Sequence, residues 1–166
     1  RHRTSTFFGN GVVAQVQFGD PVCPKLCEKL VQAAQAVGAT IHLGGTYICM
    51  EGPAFSSRAE SLLYRSWGAD VIGMTNAQEA KLAREAEMAF ASIALATDYD
   101  CWHVSESEVN VDDIIKVMHE NVETARRIIV ETMRNLTPDF PNSQQEALKF
   151  AMLTEKSKIP QKTRID

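Results

Sequence analysis

The stretch WGADVIGMTN, residues 67–76, sets the architecture of this chain. Gly68 is a helix stop, and DVIGM (70–74) is an apolar run of strand length. Thr75-Asn76 then opens polar sequence suited to a helix start. Upstream, Ser57-Arg58-Ala59-Glu60 is a capping-box pattern that predicts a helix through Trp67. Downstream, Asn76-Ala77-Gln78-Glu79 repeats the pattern and predicts a helix to about residue 88. FASIALA (90–96) follows, apolar on both faces as a central parallel strand must be. Helix, strand, helix, strand is the order of βαβ units, so the fold class is α/β.

The flanks extend the same pattern. GVVAQVQF (11–18) alternates as a strand does, and 25–37 places Leu26, Leu30, Ala33, Ala34 and Val37 at helical spacing before Gly38. ATIHLGGTYICM (39–50) reads as an extended segment bent at Gly44-Gly45. A long helix is predicted over 111–134, with Ile114, Ile115, Met118, Val122, Ala125, Ile128, Ile129 and Thr132 facing inward. A further helix is predicted over 142–153, and residues 154–166 read as a polar, mobile tail. No internal repeat or linker divides the 166 residues, which read as one domain.

Composition narrows the function classes. A net charge of −4 and 45% apolar content fit a globular domain with a sizeable core. No run reaches the ~18 apolar residues of a membrane span, and no segment has signal-peptide character. There is no basic stripe for nucleic acid. Cys23, Cys27, Cys49 and Cys101 lack metal-ligand spacing and read as free thiols of a reducing cytoplasm, with no metal site implied. The opening RHRTSTFFGNG lacks a methionine, as a mature N-terminus or a fragment does.

In open α/β sheets, ligands bind beyond the carboxyl ends of strands. Two predicted strands end in polar sequence, at Met74-Thr75-Asn76 and at Thr97-Asp98-Tyr99-Asp100. If the chain stays extended past Ala96, Asp98 and Asp100 share a face. Paired carboxylates in a low-dielectric cleft resist double ionisation, so one is expected to hold a proton for a leaving heteroaromatic base. The alternative is that Asp98 is a turn residue and Asp100 a cap. Thr75 is likewise either an anion ligand at a helix start or a simple N-cap.

EGPAFSSRAES (51–61), WGADVIGMTN (67–76) and ATDYDCW (96–102), taken together, resemble the C-terminal portion of the 5′-methylthioadenosine phosphorylases, within the purine nucleoside phosphorylase family. The resemblance is collinear from about Gly11 to Val130. It implies an α/β fold with a mixed central sheet flanked by helices, from which the N-terminal part is absent here. It implies a homotrimer and phosphorolysis of methylthioadenosine to adenine and 5-methylthioribose 1-phosphate. Orthophosphate is then a co-substrate, and no cofactor or metal is implied.

By motif, the resemblance places Phe55 against the purine and Ser56 at a position linked to base choice. It places Met74 at the ribose, Thr75 on phosphate, and Asp98 and Asp100 at N7 and N6 of adenine. Val111, Ile114 and Ile115 are placed around the base and methylthio group, with Val111 also bearing on specificity, and Thr97 and Ile72 complete the walls. A carboxylate accepting from N6 favours adenine over a 6-oxopurine, where acceptor would face acceptor. The sequence departs from the family at two points. Gln15 stands where a histidine reaching a neighbour's 5′-substituent is frequent, which bears on the methylthio preference. Gln78 stands where a proline is common before Glu79, itself either behind the base or a helix-capping residue. The portion that carries the glycine-rich phosphate loop and the Arg-His phosphate ligands lies outside this sequence. The expected partner is therefore an N-terminal portion of the same enzyme. Two other readings are a phosphorylase for methylthioinosine or another purine nucleoside, and an inactive fragment serving as an assembly module.

Overall fold

The computed structural model describes residues 3–103, 111–142 and 144–163, with side chains from residue 115 onward in the last long helix. Its elements are α1 (Pro24–Ala36), β1 (Tyr47–Cys49), α2 (Arg58–Ser66), β2 (Val71–Gly73), α3 (Asn76–Glu85) and α4 (Val111–Arg134). Two short 3-10 turns follow, at Lys156–Lys158 and Gln161–Thr163.

Pro24 opens α1 at a position where its missing N–H costs nothing. Gly38 closes α1 at φ +71°, and the Ala39 N–H then reaches back to the Ala34 carbonyl at 2.9 Å. Ala33 and Ala34, buried on α1, let α4 approach closely, and Ile128 of α4 completes the core. Leu30, Val37, Ala39 and Ile93 pack around these three.

β1 and β2 pair in parallel, with Ile48 opposite Ile72 and Cys49 opposite Gly73. α2 is the crossover between them, so β1–α2–β2 is a βαβ unit, one element upstream of the unit expected from 70–74 through α3 to 90–96. Gly45, at φ +104°, lies where a Cβ would come within 2.8 Å of Asp70 Oδ2. That carboxylate accepts the Thr46 N–H at 2.7 Å and aligns the start of the pair. The bend predicted at Gly44-Gly45 therefore falls where the strand begins.

Several expected elements take another form. Residues 11–18 do not form a strand: Ala14 makes one antiparallel bridge with Met152, and the segment is held by 151–154 instead. The Gln15 N–H reaches the Ala151 carbonyl at 2.8 Å, and the Leu153 N–H reaches that of Val13 at 2.9 Å. Of 39–50, only Tyr47–Cys49 is paired. Residues 90–96 carry no regular secondary structure and have no strand beside them among the described residues, and Leu95 is 40% exposed rather than buried. Strand identity needs a hydrogen-bonded neighbour, which apolar sequence alone does not supply. Among the described residues the sheet is thus one parallel pair, not the expected mixed sheet.

Residues 144–151 form successive tight turns instead of a helix, with bonds such as Ala147 N–H to the Gln144 carbonyl at 3.0 Å. α4 spans the predicted limits, yet Met118, Val122 and Ile129 of its expected inward face are exposed. Of α4, Ile128 packs on Ala33 and Ala34 and Thr132 is buried, while much of the rest of its apolar side stays uncovered among the described residues. In the expected tail, the Thr154 N–H reaches the Val13 carbonyl at 3.3 Å and the Thr163 hydroxyl reaches that of Asn10, also at 3.3 Å.

Two charged side chains of α3 hold the N-terminal segment. Buried Arg84 donates to the Gln17 carbonyl at 2.9 Å and to that of Asp20. Glu85 accepts the Thr6 hydroxyl at 2.7 Å and the Phe7 N–H at 2.6 Å.

Candidate active site

α2 begins as predicted. Ser57 Oγ accepts the Glu60 N–H at 3.3 Å, and the Glu60 carboxylate accepts the Ser57 N–H at 2.7 Å. These bonds hold the Glu60 carboxyl below its usual range, with the Ser57 backbone N–H the larger cause. The second predicted capping box does not form. Thr75, not Asn76, occupies the N-cap of α3 and makes no side-chain capping bond, while Asn76 Oδ1 accepts the Ser92 hydroxyl at 2.5 Å. The Thr75 hydroxyl is thus not spent on its own helix, which leaves the anion-site reading open.

An open cleft of about 1080 Å³ runs along β1 and β2 and is crossed by residues 90–102. Of the residues singled out from sequence, Phe55, Ser56, Ile72, Thr75, Thr97, Asp98 and Asp100 line it together. Asp98 Oδ1 accepts the Thr97 hydroxyl at 3.1 Å. Asp100 Oδ1 accepts the Cys101 N–H at 2.8 Å, and its Oδ2 accepts the Ser61 hydroxyl at 2.5 Å. Ser56 donates its hydroxyl to Met50 Sδ at 3.5 Å, and its carbonyl lies 3.5 Å from Cys101 Sγ. Phe55, 86% exposed, has its ring free for a planar partner.

Other predicted site residues sit apart from the cleft wall. The Met74 carbonyl is taken by Arg3 and, at 3.4 Å, by Gln78, while its sulfur packs against Gly52. Gln15 lies beside Ala151. Ile115 is 47% exposed on α4 and does not line the cleft. The side chains of Val111 and Ile114 lie outside the described residues.

The cleft also recruits residues that sequence reasoning left aside. Tyr47 lines it with its hydroxyl pushed up in pKa, by burial first and then by Cys49 and Glu79. Ser61 and Arg65 reach it from α2: Ser61 grips Asp100, and the Arg65 guanidinium stands 3.8 Å above the Trp102 ring. Their spacing of four along α2 is the one signal that could have paired them. Glu79, expected from the sequence either behind the base or at a helix cap, lines the cleft too. Among the described residues no cluster of three or more metal-ligating side chains occurs, and no helix is long and apolar enough to cross a membrane.

A parallel βαβ unit whose cleft gathers two carboxylates, a helix-start hydroxyl and an aromatic ring has the make-up of an α/β protein with a ligand-binding cleft. The chain belongs to the phosphorylase superfamily, whose sequence profile matches residues 1–134. Its sequence is similar to the S-methyl-5′-thioadenosine phosphorylase of Geobacter sulfurreducens, with 57% identity over 98% of this chain and 57% of the relative. The Gloeobacter violaceus enzyme of the same name is 53% identical over 99% of this chain and 56% of its own length. Among solved structures, a methylthioadenosine phosphorylase from an Antarctic soil metagenomic library superposes with a TM-score of 0.90 at 41% identity, covering 98% of this chain and 58% of that one. The methylthioadenosine phosphorylase of Schistosoma mansoni, in complex with adenine, gives 0.81 at 26% identity, covering 92% of this chain and 62% of that one. The fold is therefore that of the purine nucleoside phosphorylases. The chain spans little more than half the length of the curated relatives it matches.

Proposed function

We propose that this chain forms the base-binding half of a methylthioadenosine phosphorylase. The observation that carries the proposal is the meeting of Asp98, Asp100, Phe55, Ser56 and Thr75 in one cleft. Orthophosphate attacks the anomeric carbon while the bond to adenine breaks through an oxocarbenium-like state. Asp98 hydrogen-bonds or protonates N7 and so stabilises the departing base. Asp100 accepts from the exocyclic N6 amine, Phe55 stacks on the purine, and Ser56 bears on base choice. Ile72 and Thr97 wall the site, and Thr75 binds phosphate through its hydroxyl. On the resemblance alone, since Met74 and Ile115 stand off the described cleft wall, Met74 is assigned to the ribose and Val111, Ile114 and Ile115 to the base and methylthio group, with Val111 tuning specificity. Gln15 reaches the 5′-substituent of a neighbouring subunit in a homotrimer.

An N-terminal portion of the same enzyme supplies most of the phosphate-binding groups and covers the partly exposed 90–96 segment. The reaction needs no cofactor beyond the co-substrate phosphate, and the enzyme works in the cytoplasm. The test is phosphate-dependent adenine release from methylthioadenosine, by the chain alone and with the N-terminal portion supplied. Release only with both supports the full proposal. Full activity of the isolated 18.4 kDa chain removes the need for a partner portion. Faster turnover of methylthioinosine or inosine overturns the role of Asp100, and no release under either condition leaves the chain an assembly module.

A further inference from the structure

Ser61 is 1% exposed, on the first turns of α2, and its hydroxyl donates to Asp100 Oδ2 at 2.5 Å across 39 residues of sequence. The other carboxylate oxygen, Oδ1, accepts the Cys101 N–H at 2.8 Å. Both contacts are donors, one of them a backbone N–H that can only donate. They take up one lone pair on each oxygen and restrain the plane of the carboxylate, and each oxygen of this cleft-lining residue keeps further acceptor capacity. One turn further along α2, Arg65 covers Trp102, so the same helix face grips the segment on both sides of Cys101.

We propose that Ser61 is a positioning and specificity-determining residue, which holds Asp100 as an oriented acceptor so that the site selects 6-aminopurines over 6-oxopurines. The inference rests on the assignment of Asp100 to the exocyclic amine given above. At the exocyclic position an aminopurine offers the oriented oxygen a hydrogen, whereas a 6-oxopurine offers a second acceptor there. Freed from Ser61, the carboxylate rotates, or turns toward other donors, and the two base classes become less distinct. Ser61 touches no base itself; its effect passes entirely through Asp100.

The test is equilibrium binding of adenine and of hypoxanthine by calorimetry, with the protein supplied with its N-terminal portion, for the unsubstituted form and for Ser61→Ala and Ser61→Cys. The cysteine variant keeps nearly the same volume but donates weakly, which separates the hydrogen bond from packing. Both variants are expected to lose about tenfold or more of the adenine preference, the scale of one hydrogen bond to a charged group. An unchanged preference, or equal weakening for both bases, overturns the inference, since a merely structural role affects both alike. An unsubstituted protein with no adenine preference also overturns it. Phosphorolysis by the unsubstituted protein is measured in parallel. Adenine release there with an unchanged variant preference sinks only the role of Ser61, while its absence sinks the functional reading itself.

Discussion

Arg65 holds its guanidinium 3.8 Å over the ring of Trp102, joining α2 to the segment that carries Asp98 and Asp100. Arg65 is largely exposed, so the contact belongs at the weaker end of cation–π attraction. A double-mutant cycle of Arg65→Met and Trp102→Leu, read by urea unfolding, is expected to give about 0.5–1 kcal/mol of coupling. Strict additivity would show that the two residues do not hold each other.

Asp98→Asn is expected to lower turnover of methylthioadenosine by about 10²–10⁴-fold, the range for a positioned proton donor. Asp100→Asn is expected to act on base choice instead, because an amide can turn its NH₂ toward a 6-oxo group. Steady-state comparison of methylthioadenosine with methylthioinosine separates the two outcomes. Equal losses on both substrates in Asp100→Asn would remove it from the reading of N6.

The α2 capping box predicts an acid-sensitive helix end. The Glu60 carboxyl is held below its usual range by the Ser57 N–H. Its contribution is therefore complete above the ordinary carboxyl pKa of about 4.3 and fades as pH falls through the lowered folded value. Ser57→Ala should cost about 1 kcal/mol at neutral pH. Glu60→Gln should flatten the acid limb of a stability–pH curve, and an unaltered limb would rule out this carboxylate as a source of it.

Tyr47 occupies the space beside Gly73. Its hydroxyl and ring carbon lie where a Cβ at position 73 would stand, because Tyr47 pairs with Val71 and its side chain reaches two residues further along the partner strand. Gly73→Ala is expected to destabilise the protein by about 1–3 kcal/mol through overpacking. Shortening the neighbour in Tyr47→Leu/Gly73→Ala should recover part of that loss in thermal unfolding. No recovery would place the cost in the backbone rather than in this contact.

Local chemistry made much of the molecule legible. The Ser57–Glu60 box, the stop at Gly68 and the DVIGM strand act over four or five residues, so side-chain identity and spacing suffice to read them. α1, α2, α3 and α4 all appear close to their predicted spans. Strand predictions failed where the partner was decisive. Residues 11–18 alternate as a strand should, but they meet residues 151–154 at a single bridge. Residues 90–96 are apolar on both faces, yet no neighbouring strand lies beside them among the described residues. The Asn76–Glu79 pattern resembled a capping box, but Asn76 was drawn instead to Ser92 in a different segment.

The site divides along the same line. By itself, the sequence determined the α1–α4 helices, the strand at 70–74, and the presence of a helix-start threonine after it and two carboxylates after residues 90–96. Only the tertiary structure decided that Ser61, Arg65 and Tyr47 belong beside them, and that Asp98 and Asp100 take different partners. Helix propensity and capping are short-range and leave their mark in consecutive residues. A hydrogen bond such as Ser61 to Asp100 spans 39 positions and exists only once packing has closed the intervening loop.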